Sequence, residues 1–239
     1  GELCSSVLLW RFNNMKKMLS ILMCVVILMG FTSCSSKVNT IEGQDLIASA
    51  QKAYKALDSA RLVITDADTG KVQQQFTFCY DDKILHYLFE STSGGKVYYE
   101  YNNGKNVQIQ KSGKVKTYKW PNSNFKKYKR SSTHPNADTG IFFFEPKYIS
   151  DIKVDKTDGN TEVFYSYDIK KLAKKMTTKT TDGKMTVFET KFIFDKNGNF
   201  QKLLETSSFD NDGEKISHTY SVEITDRNEI KEIVNPIKD

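Results

Sequence analysis

From Arg61 onward, apolar and polar residues alternate in short runs separated by Gly, Asn and Asp. A period of two is the pattern of a strand with one buried face. Val72, Gln74, Phe76, Phe78 and Tyr80 share one phase, and Gln73, Gln75, Thr77 and Cys79 the other. After Asp81-Asp82-Lys83 come Leu85, Tyr87 and Phe89 in phase, and after Ser93-Gly94-Gly95 come Val97, Tyr99 and Tyr101. Asn102-Asn103-Gly104 and Asn197-Gly198 predict tight hairpins, because Asn-Gly accepts the positive φ such turns need. Further strands are predicted at 61–65, 107–110, 115–120, 152–156, 162–167, 185–195, 200–208, 216–224 and 230–234.

Ahead of the strands, residues 44–59 carry Leu46, Ile47, Ala50, Ala53, Tyr54 and Leu57 at helical spacing, with Lys52 and Lys55 opposite. This predicts an amphipathic helix whose apolar side lies on the sheet. Between Pro121 and Gly140 the chain is polar, and Ile141-Phe142-Phe143-Phe144 then reads as a short buried plug or lid. Asp168 is placed to cap a brief helix through Leu172 and Met176. The fold class predicted is mainly β (α+β), with about eleven antiparallel strands.

The N-terminal region has a different pattern. Met15, Lys16 and Lys17 precede a run from Met18 to Gly30 broken only by Ser20, and Phe31-Thr32-Ser33 leads into Cys34. The run matches the roughly 7–15 residues of an export-signal core and falls short of the roughly 20 needed to span a bilayer. An uncleaved anchor would have to recruit Phe31 to Ser33. Residues 1–14 are expected to be upstream sequence, an expression remnant or a short natural extension. Phe31, Thr32 and Ser33 resemble the lipobox of bacterial lipoproteins, with Phe31 where that family usually has Leu. The resemblance implies a diacylglyceryl group on Cys34 and cleavage before it. Two acyl chains anchor stably where one is marginal.

Past residue 33 the chain is long enough for one all-β domain with a real core. Only Cys34 and Cys79 remain there, so acylation of Cys34 would leave Cys79 unpaired. In its alternating strand Cys79 reads as a small semi-buried residue rather than a reactive thiol. His86, His134 and His218 have no metal spacing, and no nucleophile elbow, phosphate loop or zinc-protease motif occurs. No catalytic residue, metal or cofactor is predicted.

Net charge is +6 at pH 7, a mild excess that is locally concentrated. Between Tyr101 and Ala137 there is no acidic residue, while Lys105, Lys111, Lys114, Lys116, Lys119, Lys126, Lys127, Lys129 and Arg130 all fall there. Two readings stand. One is contact with anionic headgroups or wall polymer, centred on Lys126, Lys127, Lys129 and Arg130. The other is a solvated sheet edge on which lysines block edge pairing. Nucleic acid is not a partner expected of an exported protein.

The aromatic stripe Phe76, Phe78, Tyr80, Tyr87, Phe89, Tyr99 and Tyr101 also has two readings, an ordinary core beneath the helix or the lining of an apolar hollow. The order of elements is what distinguishes the chain. A lipobox, a polar tether over 35–43, the helix Gln44-Asp-Leu-Ile-Ala-Ser-Ala-Gln-Lys-Ala-Tyr54 and a long antiparallel meander resemble the LolA/LppX-like lipoprotein superfamily. Asn197-Gly-Asn-Phe200, Tyr220-Ser-Val-Glu-Ile-Thr-Asp-Arg-Asn-Glu-Ile230 and Asn235-Pro236 resemble low-GC Gram-positive lipoproteins of this shape. The resemblance implies a strongly curved, unclosed half-barrel over 44–236, wrapped on the helix, with a hollow for lipid or acyl chains. The expectation is an exported protein, lipid-anchored through Cys34 to the outer face of the cell membrane, binding an apolar or amphipathic ligand. The alternative is a non-catalytic surface module contacting wall polymer, headgroups or another envelope protein.

Overall fold

The computed structural model describes residues 41–119, 140–175 and 184–237. Cys34 with Phe31, Thr32 and Ser33, and the basic group Lys126, Lys127, Lys129 and Arg130, lie outside these.

The helix α1 runs Gln44–Lys55. Gly43 precedes it at φ 78°, and a Cβ there would sit 2.5 Å from Cγ1 of Val163, so only glycine fits the approach. Ile47, Ala50 and Tyr54 are buried. Ala53, expected on that face, is exposed. The helix stops short of the predicted Ser59 because Ser59 belongs to the sheet, where it pairs with Cys79.

Eleven strands follow: β1 Ser59–Asp66, β2 Val72–Asp81, β3 Ile84–Ser93, β4 Lys96–Asn102, β5 Asn106–Lys111, β6 Lys114–Lys119, β7 Ile149–Thr157, β8 Asn160–Tyr167, β9 Lys184–Phe194, β10 Phe200–Asn211 and β11 Glu214–Thr225. Single 3-10 turns at Gly140–Phe142 and Pro146–Tyr148 precede β7. A short helix α2, Ile169–Lys175, follows β8, with Asp168 Oδ1 accepting from the Lys171 N–H at 3.1 Å. All strand pairs are antiparallel in one sheet of order β6-β5-β4-β3-β2-β1-β11-β10-β9-β8-β7. The predicted class is thus borne out: mainly β, one open sheet, one short N-terminal helix.

The meander itself is split. Strands β1–β6 and β7–β11 form two meanders joined by the long-range pair β1–β11, with Leu62 opposite Ile224. The sheet stays open because β6 and β7, consecutive in the chain, are its two edges. On β6, Lys114, Lys116 and Lys119 stand in solvent, where charge discourages a further strand.

One face of the sheet carries the main core. Ala60, Leu62, Phe76, Phe78, Tyr87, Val163, Tyr165, Phe192, Leu203 and Val222 are buried there together with the helix residues. At one end of α1 the Glu42 carbonyl accepts from the Tyr165 hydroxyl of β8 at 2.9 Å. At the other, Tyr54 meets Phe78 of β2 at 6.0 Å between ring centroids. The helix thus reaches across the sheet from β8 to β2.

The opposite face, which a period of two leaves largely to solvent, is also partly covered. Thr77 and Cys79 are buried. Cys79, Leu88 and Ile233 form a second small core with Tyr99, Tyr101 and Ile230. Residues 230–234, predicted as a strand, lie across this face instead, with the Ile230 N–H donating to Ser59 Oγ at 3.0 Å. They join no ladder because the strands beneath them already have neighbours on both sides. Burial pushes the Cys79 thiol pKa up, consistent with an inert packing residue.

Candidate functional site

The core face is built from two sectors. The first is aromatic. Phe76 and Tyr87, adjacent on β2 and β3, stack with centroids 5.5 Å apart, and Phe78 meets Phe76 and Tyr80 at 6.0 Å each. Phe76, Phe78 and Tyr87 are buried, while Tyr80 and Phe89 pack half-buried on the same core. The structure thus brings together five residues of the predicted stripe.

Tyr99 and Tyr101 are not among them. Register sets Glu100 opposite Phe89 and Asn102 opposite Tyr87, so Tyr98 and Glu100 face the core side and Tyr99 and Tyr101 the reverse. The run Val97-Tyr98-Tyr99-Glu100-Tyr101 has aromatic residues in both phases, and the β3–β4 turn selects the phase. Tyr87 and Tyr98 donate their hydroxyls to Glu100 Oε1 and Oε2 at 2.7 and 2.9 Å, and Tyr98 meets Phe89 edge-on at 6.0 Å.

The predicted plug lies over the other half of this face. Ile141, Phe142 and Phe143 are buried and Phe144 half-buried. Phe142 meets Phe200 at 4.9 Å, Phe143 stacks on Tyr167 at 5.8 Å, and Phe144 meets Tyr165 at 5.0 Å. Among the described residues the segment's side-chain polar link to the sheet is the Tyr167 hydroxyl donating to the Phe143 carbonyl at 3.2 Å.

Beneath it is a second, polar sector, built from polar residues in the apolar phase of β9 and β10. Glu205 is 5% exposed and Ser207 wholly buried, both in phase with buried Leu203 and Phe209 on β10. Across the ladders Glu205 faces Thr190 of β9 and Tyr220 of β11. Paired strand positions bring their Cβ atoms to about 4.5–5.5 Å. Glu205 has no hydrogen-bond or ion-pair partner among the described residues. The Ser207 and Thr190 hydroxyls are likewise unpartnered, although Thr190 lies beside the Tyr167 phenol. An unpaired buried hydroxyl costs about 1–3 kcal/mol. Burial also pushes the Glu205 carboxyl from 4.5 up to about 8, so it is protonated at neutral pH and offers a donor as well as an acceptor. Burial, then Asp66 and Glu205, push the Tyr220 phenol to about 12. The signal was legible: a Glu and a Ser at apolar-phase positions between Leu203 and Phe209.

Among the described residues no three His, Cys, Asp or Glu side chains converge on a metal position, and no helix is long and apolar enough to cross a membrane. No protein-family model matches the chain, and no curated protein matches it in sequence. Among solved structures the chain is similar to the crystal structure of LprF from Mycobacterium bovis, at 13% identity and a TM-score of 0.46, covering 82% of this chain and 98% of that one.

Proposed function

We propose that this is an exported protein, held to the outer face of the membrane by lipid on Cys34, whose open sheet binds an apolar or amphipathic ligand on its core face. The observation carrying the reading is that the apolar face outruns its own cover. Helix and plug lie over β8–β11, β1 and β2, yet the same face continues through Tyr80, Phe89, Tyr98 and Ile109, all half-buried, to Tyr118, 41% exposed. Rings standing side by side, open to an approaching chain, suit a hydrocarbon better than a polar solute. Residues 35–239 should co-purify with lipid detectable by mass spectrometry. An interior that stays dry and lipid-free would end the proposal. The Cys34→Ala variant should lose acyl labelling and be released from the membrane.

The lysine edge of β6 favours a second reading, contact with an anionic envelope polymer or headgroup. Reversing the charge of Lys114, Lys116 and Lys119, or of Lys126, Lys127, Lys129 and Arg130, should then abolish envelope retention of the unacylated form; unchanged retention excludes it.

A further inference from the structure

We infer that Glu205, Ser207 and Thr190 form a polar docking point inside the apolar face, shaped for an uncharged hydrogen-bonding group, a hydroxyl or ester carbonyl, on an otherwise apolar ligand. The inference rests on the apolar-ligand reading above and names the chemistry such a ligand must carry. Three features support it. The three side chains belong to the neighbouring strands β9 and β10 and face the side that holds the main core. All are more than nine-tenths buried; among the described residues the Ser207 hydroxyl has no partner, the Thr190 hydroxyl has none beyond the adjacent Tyr167 phenol, and burial is what acts on the Glu205 carboxyl. Their surroundings are largely apolar, with Phe188 opposite Ser207 on β9 and Leu203 and Phe209 flanking on the same strand, while half-buried His218 of β11 stands on the other side of Ser207.

The composition of the cluster sets the class of ligand. Two hydroxyls and a carboxyl kept neutral by burial donate and accept but present no charge. A hydroxyl or carbonyl satisfies such groups, whereas a carboxylate or phosphate would bring an unpaired charge into a low-dielectric site. The plug is the cover the ligand must move. Phe143 stacks on Tyr167, the phenol beside Thr190, and its carbonyl is tied down by one 3.2 Å hydrogen bond. Lifting Phe143 uncovers the neighbourhood of Glu205 without breaking any sheet ladder.

The test compares three probes of one chain length on the full chain: monooleoylglycerol, 1-octadecene and oleylamine, each displacing N-phenyl-1-naphthylamine. Monooleoylglycerol should displace the dye about tenfold more tightly than 1-octadecene, since one or two hydrogen bonds correspond to roughly 2- to 10-fold each. Glu205→Gln, neutral and still donor and acceptor, should keep that preference. Glu205→Leu should reduce it to within about twofold while 1-octadecene binds as before. If Glu205→Leu does not fold, Ser207→Ala takes its place and should lose part of the preference. Equal displacement by monooleoylglycerol and 1-octadecene, or a preference that survives Glu205→Leu, overturns the docking point and leaves the apolar-ligand reading standing. Tightest binding by oleylamine overturns the uncharged class. Displacement by none of the three overturns both readings.

Discussion

Glu100 and Glu205 sit on the same face of one sheet, and their surroundings are opposite. Glu100 accepts two phenol hydroxyls, from Tyr87 and Tyr98, at 2.7 and 2.9 Å. Beside it Asn102 Oδ1 accepts the Gly104 N–H at 2.7 Å, while Asn102 Nδ2 has no partner among the described residues. Glu205 is the more deeply buried of the two and accepts no such phenols among the described residues, and the Ser207 hydroxyl beside it is unpartnered there. A buried polar network stabilises when every member is satisfied and destabilises when it is half made. The Glu100 carboxylate has both oxygens partnered by phenols, and removing it should hurt. The Glu205 cluster is held at a cost to folding, and removing a member should help. That asymmetry separates a structural polar group from a candidate binding group on the same scaffold.

The largest expected effect is on pH dependence. Burial raises the folded-state pKa of Glu205 from 4.5 to about 8, so its ionisation costs folding nothing below pH 4.5 and the penalty grows as pH rises towards 8. Between those limits the folded protein binds the extra proton, and stability falls by about 1.4 kcal/mol per pH unit. Denaturant midpoints of Glu205→Gln should lose this slope. The groups facing Glu205 are Thr190, Tyr220 and Tyr167, with Asp66 and His218 beyond, and Tyr220 does not titrate in this range. An identical slope in wild type and Glu205→Gln would mean that Glu205 is satisfied in solution.

Next in size, exchanging each carboxyl for Leu should move thermal midpoints in opposite directions at pH 7. Glu100→Leu leaves two phenol hydroxyls without their acceptor and should cost about 2–4 kcal/mol. Glu205→Leu replaces a buried polar group with a hydrophobe of similar volume, which is commonly neutral or a gain of about 1–4 kcal/mol. Destabilisation by both would erase the distinction. The smallest effect contrasts two buried serines. Ser59 Oγ accepts the Ile230 N–H at 3.0 Å, so Ser59→Ala should cost about 1 kcal/mol. Ser207→Ala, which removes an unpartnered hydroxyl, should be neutral or slightly stabilising by chemical denaturation.

How much was legible varied with the range of the interaction. The β9–β10 hairpin follows from Asn197-Gly198, where Gly198 has φ 78° and Asp195 Oδ1 accepts from the Asn197 and Asn199 N–H groups at 2.8 and 2.9 Å. The phase of β4 did not follow, because Tyr98 and Tyr99 are equally aromatic and only pairing with Ser91 and Glu90 separates them. Glu205 and Ser207 were visible as polar residues in an apolar phase. Whether they had partners depended on what lay opposite and above them, Thr190, Tyr220 and the plug.

The local pattern by itself located strands β1–β11, most hairpin turns, the start of the helix at residue 44 and the apolar plug, while running the helix on to 59 and adding a strand at 230–234 that does not form. The tertiary structure alone decided the pairing of β1 with β11, the opening between β6 and β7, the strap of residues 230–237 across the reverse face and the isolation of Glu205. Those features depend on which residues meet after distant segments have folded together, and a period of two leaves that choice open.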